Sequence, residues 1–512
     1  MTSSWKYDRA KEAIDKRIEE VETVEIVDYK RDMSLESIPI NKAYRVDGVH
    51  MYADIQNLHD ILATTDSEGE RCHKRALRFL NLHQRAVHRV LDRCDARRVD
   101  FHNQRLHSLV AKPYGTDGEK KRVCRAVAIG KLIMDVLAET GDDDEDIPNA
   151  KVRIGVDTGL ALAVNNGRNG NREPLFLGSP ANLAAKLASN WTAQGIFLTN
   201  AARKAAGLAE VEAGKEGTAP LSADEIAKCQ GEAKLDIGKD EIVKEWRKDN
   251  DENPIGSFDF SRPTPPLRVL DISVLTPGNS RWMEAVSVYA DIDGFTKFVA
   301  EHIGQNAEDV VKCFHVVRSE LDRTLSSDFD GRRIRFIGDC IHGLLMEGTP
   351  YSTDEEETVS AATLCAGALR SSFNLALERL DVNGIAADGL GLAIGFEFGP
   401  MTVTRLGMQG SRVRCSVSRG VLASEAKQCR CKGTETAIGE EAYDVGSAAV
   451  RKLFGKTRKM ADLDYDLAVD SLTADGDKVA KAATVAAYSV SAPAMAKATE
   501  QPFRPYLEPI NE

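Results

Sequence analysis

Two aspartates in the second half of the chain have the surroundings expected of metal-binding carboxylates. Asp291 follows the apolar stretch VSVYA, and Asp339 lies in the turn of a predicted hairpin, IRFIGDCIHGLL. Carboxylates at neighbouring strand edges can bind divalent cations through oxygen, and two such cations can activate a hydroxyl and neutralise phosphate charge. Alone, either aspartate would more simply cap a helix or serve a turn. Together they predict a site for two divalent ions.

The residues directly after this first aspartate suit an anionic ligand. Gly294, Phe295 and Thr296 lie where the predicted strand passes into a helix. Backbone amides at such a turn can cradle phosphate groups. We therefore expect Phe295 and Thr296 to contact a triphosphate.

These motifs belong to a pattern that occurs twice. Three segments recur in the same order: MYADIQNLHDIL with VYADIDGFTKFV, RVDFHNQRLHSLV with IRFIGDCIHGLL, and KVRIGVDTGLALAV with GLAIGFEFGPMTVT. The members of each pair are separated by nearly the same number of residues. Three matches in register indicate a duplicated domain. We name residues 46–204 the first unit and residues 281–490 the second unit.

Each unit predicts the same order of elements: a strand ending at an aspartate, a helix, a hairpin, a second helix and the third repeated strand. Apolar residues at helical spacing predict helices over 75–94, 122–138, 307–325 and 358–380. This order predicts an α+β fold with helices packed on a mostly antiparallel sheet. The other segments are expected to be an N-terminal helical lead-in (1–45), a charged linker or inserted subdomain (205–280) and a C-terminal tail (491–512).

Bulk properties narrow the class of protein. The 512 residues carry a net charge of −12, which argues against a nucleic-acid partner but permits a small anionic substrate at a locally positive site. No apolar run reaches the roughly 18 residues of a membrane span, and the first residues lack the apolar core of a signal peptide. The ten scattered cysteines predict reduced thiols. We expect a cytoplasmic protein without a membrane partner.

ADIDGFTKF followed by RFIGDCIHG resembles the two metal-binding motifs of class III adenylate and guanylate cyclases, and GLAIGFEFGP resembles a later strand of their catalytic domain. The resemblance covers most of the chain. It implies two tandem ferredoxin-like cyclase domains that form a pseudo-symmetric head-to-tail pair. It also implies a nucleoside triphosphate substrate and two divalent ions, Mn²⁺ or Mg²⁺, held by Asp291, Ile292 and Asp339.

The resemblance further implies that the partner domain supplies an Asn and an Arg from one helix, to position the ribose and stabilise the transition state. In GSPANLAAKLA, Asn182 stands at the position of the Asn and Lys186 at that of the Arg. Their spacing puts both on one helix face, although lysine lacks the bidentate geometry of arginine. A helix cap is the simpler role for Asn182, and a solvated surface position for Lys186.

The two units have lost different parts of this machinery. In the first unit Asp54 remains, but Gln104 stands where the second metal-binding aspartate is expected. In the second unit, Ser424 and Gln428 are expected to replace the Asn and the Arg. The losses complement each other, so the sequence predicts a single site with metals from the second unit and the helix residues from the first.

The positions that contact the base in this family are Asp100 and Leu175, and neither matches the adenine pattern. An ionised aspartate only accepts hydrogen bonds, so Asp100 suits uracil N3–H, cytosine N4–H or guanine N1–H; an exposed strand residue is the alternative. Arg412 is a further candidate for a triphosphate contact. We expect UTP first, then CTP, then GTP.

The altered base pocket and the lack of a sensor domain are similar to the pyrimidine cyclases of Pycsar antiphage systems, which make cyclic UMP or cyclic CMP after infection. That resemblance implies a separate effector protein that binds the product. The alternatives are a guanylate or adenylate cyclase with an atypical pocket and a non-catalytic nucleotide-sensing module. The sequence leaves open whether the units pair within one chain or across a homodimer.

Overall fold

In the computed structural model, the first unit and the segment before it form a mixed sheet covered by helices. The structure describes residues 4–30, 33–35, 38–39, 41–142, 146–165, 174–189 and 192–489. The elements up to residue 205 are α1 (Tyr7–Glu20), β1 (Glu25–Asp28), β2 (Lys42–Ile55), α2 (Leu58–Leu62), α3 (Thr65–Glu68), α4 (Glu70–Arg93), β3 (Arg97–His102), β4 (Arg105–Val110), α5 (Glu119–Leu137), β5 (Val152–Asn165), β6 (Pro174–Leu177), α6 (Ser179–Ser189), β7 (Gly195–Leu198) and α7 (Asn200–Ala205). The sheet has the strand order β3-β4-β2-β5-β6, and β1 and β7 pair in parallel with β2 and β5.

The rest of the chain forms a second sheet after a helical insert. Its elements are α8 (Ala223–Ala233), α9 (Lys239–Glu252), β8 (Phe260–Ser261), β9 (Ser280–Asp293), α10 (Phe295–His302), α11 (Ala307–Arg323), β10 (Arg332–Ile337), β11 (Cys340–Leu345), α12 (Glu355–Val382), β12 (Gly391–Leu406), β13 (Val413–Val417), α13 (Arg419–Gln428), β14 (Glu435–Ile438), α14 (Glu440–Val445), α15 (Ala448–Phe454), β15 (Lys459–Ala461), α16 (Tyr465–Ala474) and α17 (Lys478–Ser489). The strand order is β10-β11-β9-β12-β14-β15, with β13 on β12 and β8 on β9.

The two sheets follow the same path. In both, the strand of the first repeated motif (β2 or β9) lies between a hairpin (β3–β4 or β10–β11) and the third repeated strand (β5 or β12). The two long central strands pair antiparallel in each sheet. The prediction of helices on mostly antiparallel sheets is confirmed. This topology brings each repeated aspartate beside a hairpin turn.

Helices pack their apolar faces against these sheets. The inner face of α11 is buried through residues that include Val310, Phe314 and Val317. Helix α12 starts where the Asp354 side chain accepts a hydrogen bond from the amide of Glu357, and three glutamates occupy its first turn, an arrangement that stabilises a helix N-terminus. The helices therefore form a firm layer behind the strands that carry the candidate site.

The segments outside the units also pack. In the N-terminal lead-in, Arg9 of α1 pairs with Glu320 of α11, so this helix lies on the second unit. In the segment 205–280, the indole of Trp246 donates to the carbonyl of Leu82 at 3.1 Å, so α9 lies on the first unit. The predicted tail, 491–512, falls outside the described residues. Within the described part of the chain, every helix is too short or too polar to cross a membrane.

Candidate active site

The two predicted metal-binding aspartates lie together in the second sheet. Asp291 is near the end of β9, and Asp339 follows Gly338, whose φ of +62° turns the chain between β10 and β11. Because β11 pairs with β9 through Ile341 and Ala290, the hairpin turn lies beside Asp291. Burial and the charge of Asp293 raise the pKa of Asp291 to about 6. Burial and the charge of Asp291 raise the pKa of Asp339.

This arrangement fits divalent ions. Two neighbouring carboxylates with raised pKa values form a site of unbalanced negative charge, which hard cations with oxygen ligands neutralise. The side chain of Ile292 is buried in the core and has no donor atom, so only its main-chain carbonyl can coordinate a metal. Among the described residues, no group of three or more His, Cys, Asp or Glu side chains is arranged to hold a metal ion. Two carboxylates suit Mg²⁺-like ions, which keep waters and phosphates as their other ligands.

The predicted phosphate-binding turn opens α10. Gly294 has a φ of +83°, and a Cβ there would lie 2.6 Å from the carbonyl oxygen of Gly389, so a glycine is required. The ring of Phe295 is buried against Phe314, with ring centroids 5.8 Å apart. Phe295 can therefore offer a ligand only its main-chain N–H, which belongs to the unpaired amides of a first helical turn.

Helix α6 of the first unit reaches this turn. The Asn182 amide nitrogen donates to the hydroxyl of Thr296 at 2.6 Å. Asn182 stands inside α6, which begins at Ser179, so it is not the helix cap. Lys186 is exposed on the same helix, and its charge lowers the pKa of both Asp291 and Asp339. The structure thus brings Asn182 and Lys186 close to the two aspartates.

The equivalent helix positions in the second unit differ from the sequence expectation. A Cβ on Gly155 would meet the carbonyl of Ala184, and a Cβ on Gly395 would meet the carbonyl of Ser424. Ser424 therefore corresponds to Ala184 and not to Asn182.

The same offset makes Leu422 the counterpart of Asn182 and Ala426 the counterpart of Lys186. The expectation for Ser424 and Gln428 was wrong by two residues, because α13 contains no Asn to fix the alignment. Its consequence holds, since leucine and alanine can supply neither the amide nor the cation. Gln428 instead hydrogen-bonds Asp291.

The first unit's counterpart of the metal site contains its own cation. Asp54 lies opposite Arg105 in the β2–β4 register, and the Arg105 Nε is 3.6 Å from its carboxylate. The same guanidinium pairs with Glu425 of α13 in the second unit. Burial raises the pKa of Asp54 to about 6. This region is an internal ion cluster between the units.

The predicted base-contacting residues have unequal surroundings. Asp100 is half-buried and ion-pairs with Arg335 of β10. Leu175 is buried among apolar residues of the core. Burial and the charge of Arg412 lower the pKa of Arg85 in α4, which indicates that Arg412 lies near Arg85. The cations that act on Asp339 are Arg318 and Lys186.

Sequence reasoning missed several residues around this site. Tyr52 stacks on His107 with ring centroids 4.1 Å apart, and its pKa is raised by burial and by the charges of Asp100 and Asp339, so it lies near both the predicted base position and the predicted metal position. Arg335 stands four residues before Asp339, as Asp100 does before Gln104. Opposite charges at equivalent positions of the two units were a sequence signal for an ion pair between the units.

Comparison with known proteins assigns the family. No family model matches the chain. A Pseudomonas aeruginosa protein named uridylate cyclase is 61% identical over 508 residues, which are 99% of this chain and 98% of that protein. A uridylate cyclase from a Rhizobium species is 39% identical over 436 residues, covering 81% of this chain and 82% of that protein.

A solved structure agrees with these relatives. The crystal structure of a class III adenylyl cyclase-like ATP-binding protein from Pseudomonas aeruginosa superposes with a TM-score of 0.90 at 63% identity, covering 92% of this chain and 100% of that one. Full-length identity at this level and a shared fold lead to one conclusion. The chain belongs to the uridylate cyclase family of class III nucleotidyl cyclases.

Proposed function

We propose that this chain converts UTP to 3′,5′-cyclic UMP and pyrophosphate at one site shared by its two units. The hydrogen bond between Asn182 and Thr296 is the observation that carries the proposal. It joins the helix that retains an Asn and a Lys to the turn beside the retained pair of aspartates. The two full-length relatives named uridylate cyclase support UTP as the substrate.

The proposed architecture is a pseudo-symmetric head-to-tail pair of ferredoxin-like cyclase domains, at 46–204 and 281–490. Matching strand orders support it. So do contacts on both sides of the interface, from Asn182 to Thr296 and from Arg105 to Glu425. All four residues belong to one chain, which favours pairing within the chain over a homodimer.

The chain's own residues then divide the reaction between them. Asp291, the Ile292 carbonyl and Asp339 would hold two Mn²⁺ or Mg²⁺ ions, which promote loss of the 3′-hydroxyl proton and neutralise phosphate charge. The first-turn amides of α10 and the Thr296 hydroxyl bind the triphosphate. Asn182 holds the ribose, so that the 3′-oxygen is in line with the α-phosphorus.

Bond formation is a single displacement. The ribose 3′-oxygen attacks the α-phosphorus, the bond from that phosphorus to the bridging oxygen breaks, and pyrophosphate leaves with the electron pair. Lys186 places a positive charge beside the phosphorus as negative charge spreads over its oxygens. Catalysis is therefore mainly positioning and charge stabilisation.

Asp100 is the proposed partner of uracil N3–H, because a carboxylate accepts from that imide donor. Tyr52 lies near Asp100 and Asp339 and would line the same pocket, and Leu175 would add an apolar wall. Arg412, which lies near Arg85, is a further proposed contact of the triphosphate.

The test is incubation of the purified protein with ATP, GTP, CTP or UTP and Mn²⁺, with products resolved by chromatography and mass. The proposal predicts a dominant cyclic UMP peak. A specific observation favours adenine as the second candidate, because the solved relative is described as ATP-binding; a dominant cyclic AMP peak would move the proposal there. No cyclic product from any of the four would favour a nucleotide-sensing module.

The proposed biological role is synthesis of a second messenger in the cytoplasm during Pycsar antiphage defence, with a separate effector binding cyclic UMP. The similarity to uridylate cyclases supports it. Phage infection of cells that carry the cognate effector and either the wild-type chain or an Asp339→Asn variant tests it. A rise in cyclic UMP and survival only with the wild type is expected; equal survival would contradict the role.

A further inference from the structure

Asp100 does not stand alone in the proposed base pocket. Strands β3 and β10 are equivalent in the two sheets, and the Arg335 guanidinium on β10 donates a hydrogen bond to the Asp100 carboxylate on β3. The residue expected to contact the base is thus ion-paired with a residue of the other unit.

The arginine is held firmly. Arg335 is 7% exposed, and its Nη1 also donates to the carbonyl oxygens of Phe101, at 2.7 Å, and Arg414, at 3.2 Å. These acceptors come from both units. A planar guanidinium with fixed acceptors loses little further freedom when it binds a carboxylate, so it restrains the position of the Asp100 oxygen that accepts its hydrogen bond.

We propose that Arg335 is a positioning residue for the nucleobase, and that the base is contacted by an Asp100–Arg335 pair drawn from both units. An ionised carboxylate has about four lone-pair sites, so pairing with Arg335 does not exhaust its capacity to accept from a base N–H. This inference rests on the proposed uridylate cyclase function. It assigns to Arg335 a role in substrate selection, because Arg335 would orient the Asp100 carboxylate that contacts the base.

A purely structural role for the pair makes a different prediction. If the pair only holds the units together, its loss lowers stability and affects all nucleotides equally. If Arg335 orients Asp100, its loss raises KM more than it lowers kcat and reduces the preference for UTP over CTP.

The experiment measures kcat and KM with UTP and with CTP for the wild type and for Arg335→Met, Arg335→Lys and Arg333→Met. Arg333 is the matched control, because it lies on the same strand and pairs with Asp322 at 3.0 Å. Losing a charge-assisted hydrogen bond predicts a fall in kcat/KM for UTP of about tenfold or more in Arg335→Met, mainly through KM. The ratio of UTP to CTP turnover should fall with it. Arg335→Lys should recover part of both, and Arg333→Met should change neither.

A uniform fall in kcat for both nucleotides, with the UTP preference unchanged, would overturn the inference and leave the proposed function standing. If Arg335→Met does not fold, Arg335→Lys, which keeps the charge but not the planar guanidinium, carries the same test: a reduced UTP preference supports the inference, and an unchanged preference overturns it. Absence of cyclic UMP from the wild type would instead overturn the proposed function itself.

Discussion

The chain contains the same local framework twice and uses it in two ways. In the second unit, Asp291 and Asp339 lie near an exposed lysine and an asparagine from the first unit. In the first unit, Asp54 lies opposite Arg105, which also pairs with Glu425 of the second unit. One region keeps unbalanced negative charge, which the proposed divalent ions would neutralise, whereas the other neutralises its carboxylates with the Arg105 side chain.

We infer that the first unit's counterpart of the metal site has a structural role. A guanidinium cannot dissociate as a metal ion does, so the Arg105 cluster permanently joins β4 to α13. Such a buried cluster contributes little net stability over an apolar one, but removing a single member is costly. We infer that this cluster fixes how the units meet, which in turn holds Asn182 near Thr296.

The sharpest contrast is between Asp339→Asn and Asp54→Asn. The first should reduce cyclic UMP formation by at least about 10³-fold, because a metal-binding carboxylate supplies several kcal/mol of charge stabilisation. The second should change the rate by less than about threefold, since Asp54 is paired with Arg105. Initial rates at saturating Mn²⁺ measure both, and equal losses would remove the distinction between the sites.

Arg105→Met should affect stability more than chemistry. It leaves the buried Asp54 and the half-buried Glu425 without their cation, which should lower the free energy of unfolding by about 3 kcal/mol. Urea denaturation measures the loss. The double variant Arg105→Met/Glu425→Gln should recover part of it, and an unchanged midpoint in the single variant would show that the cluster does not hold the units together.

Lys186 distinguishes α6, which contributes to the proposed active site, from its counterpart α13. Lys186→Met should lower kcat by about 10²-fold, as for loss of one transition-state donor, whereas Lys186→Arg should keep activity because the charge remains. Ala426→Lys, at the equivalent position of α13, should leave kcat unchanged. Steady-state kinetics distinguish these cases, and full activity in Lys186→Met would exclude the transition-state role.

The smallest effect concerns pH. The pKa of Asp54 is raised to about 6 in the folded protein, so between about pH 4 and pH 6 the folded state retains a proton that the unfolded state has released. Stability from this group is present below that window and is lost as the pH rises through it. The free energy of unfolding is measured by urea denaturation at about pH 4.5 and about pH 7. Asp54→Asn should reduce the difference between these two values by about 1 to 2 kcal/mol. An unchanged difference would mean that Asp54 is already ionised at low pH.

The repeated motifs predicted much of the fold, because strand alternation and helical spacing are local properties. The hairpin around Asp339 was predicted from its turn residues, and the structure has it between β10 and β11. Helix α6 was predicted to carry Asn182 and Lys186 on one face, and the contact of Asn182 with Thr296 agrees with a shared site.

What the sequence could not supply were long-range pairs. Arg105 and Glu425 are distant in the chain and pair only because the units meet, so no spacing rule reveals them. The two-residue error on α13 arose because Leu422 and Ala426 lack the polar groups that mark the equivalent positions in α6. Phe295 was expected to contact the triphosphate at the turn, and the burial of its ring leaves only its main chain for that contact.

The proposed function requires one working site in each chain. Calorimetric titration with 3′-deoxy-UTP, which lacks the attacking hydroxyl, in the presence of Mn²⁺ measures the number of sites directly. One nucleotide per chain is expected, with binding greatly weakened by Asp339→Asn and retained by Asp54→Asn. Two nucleotides per chain, or equal weakening by the two variants, would contradict it.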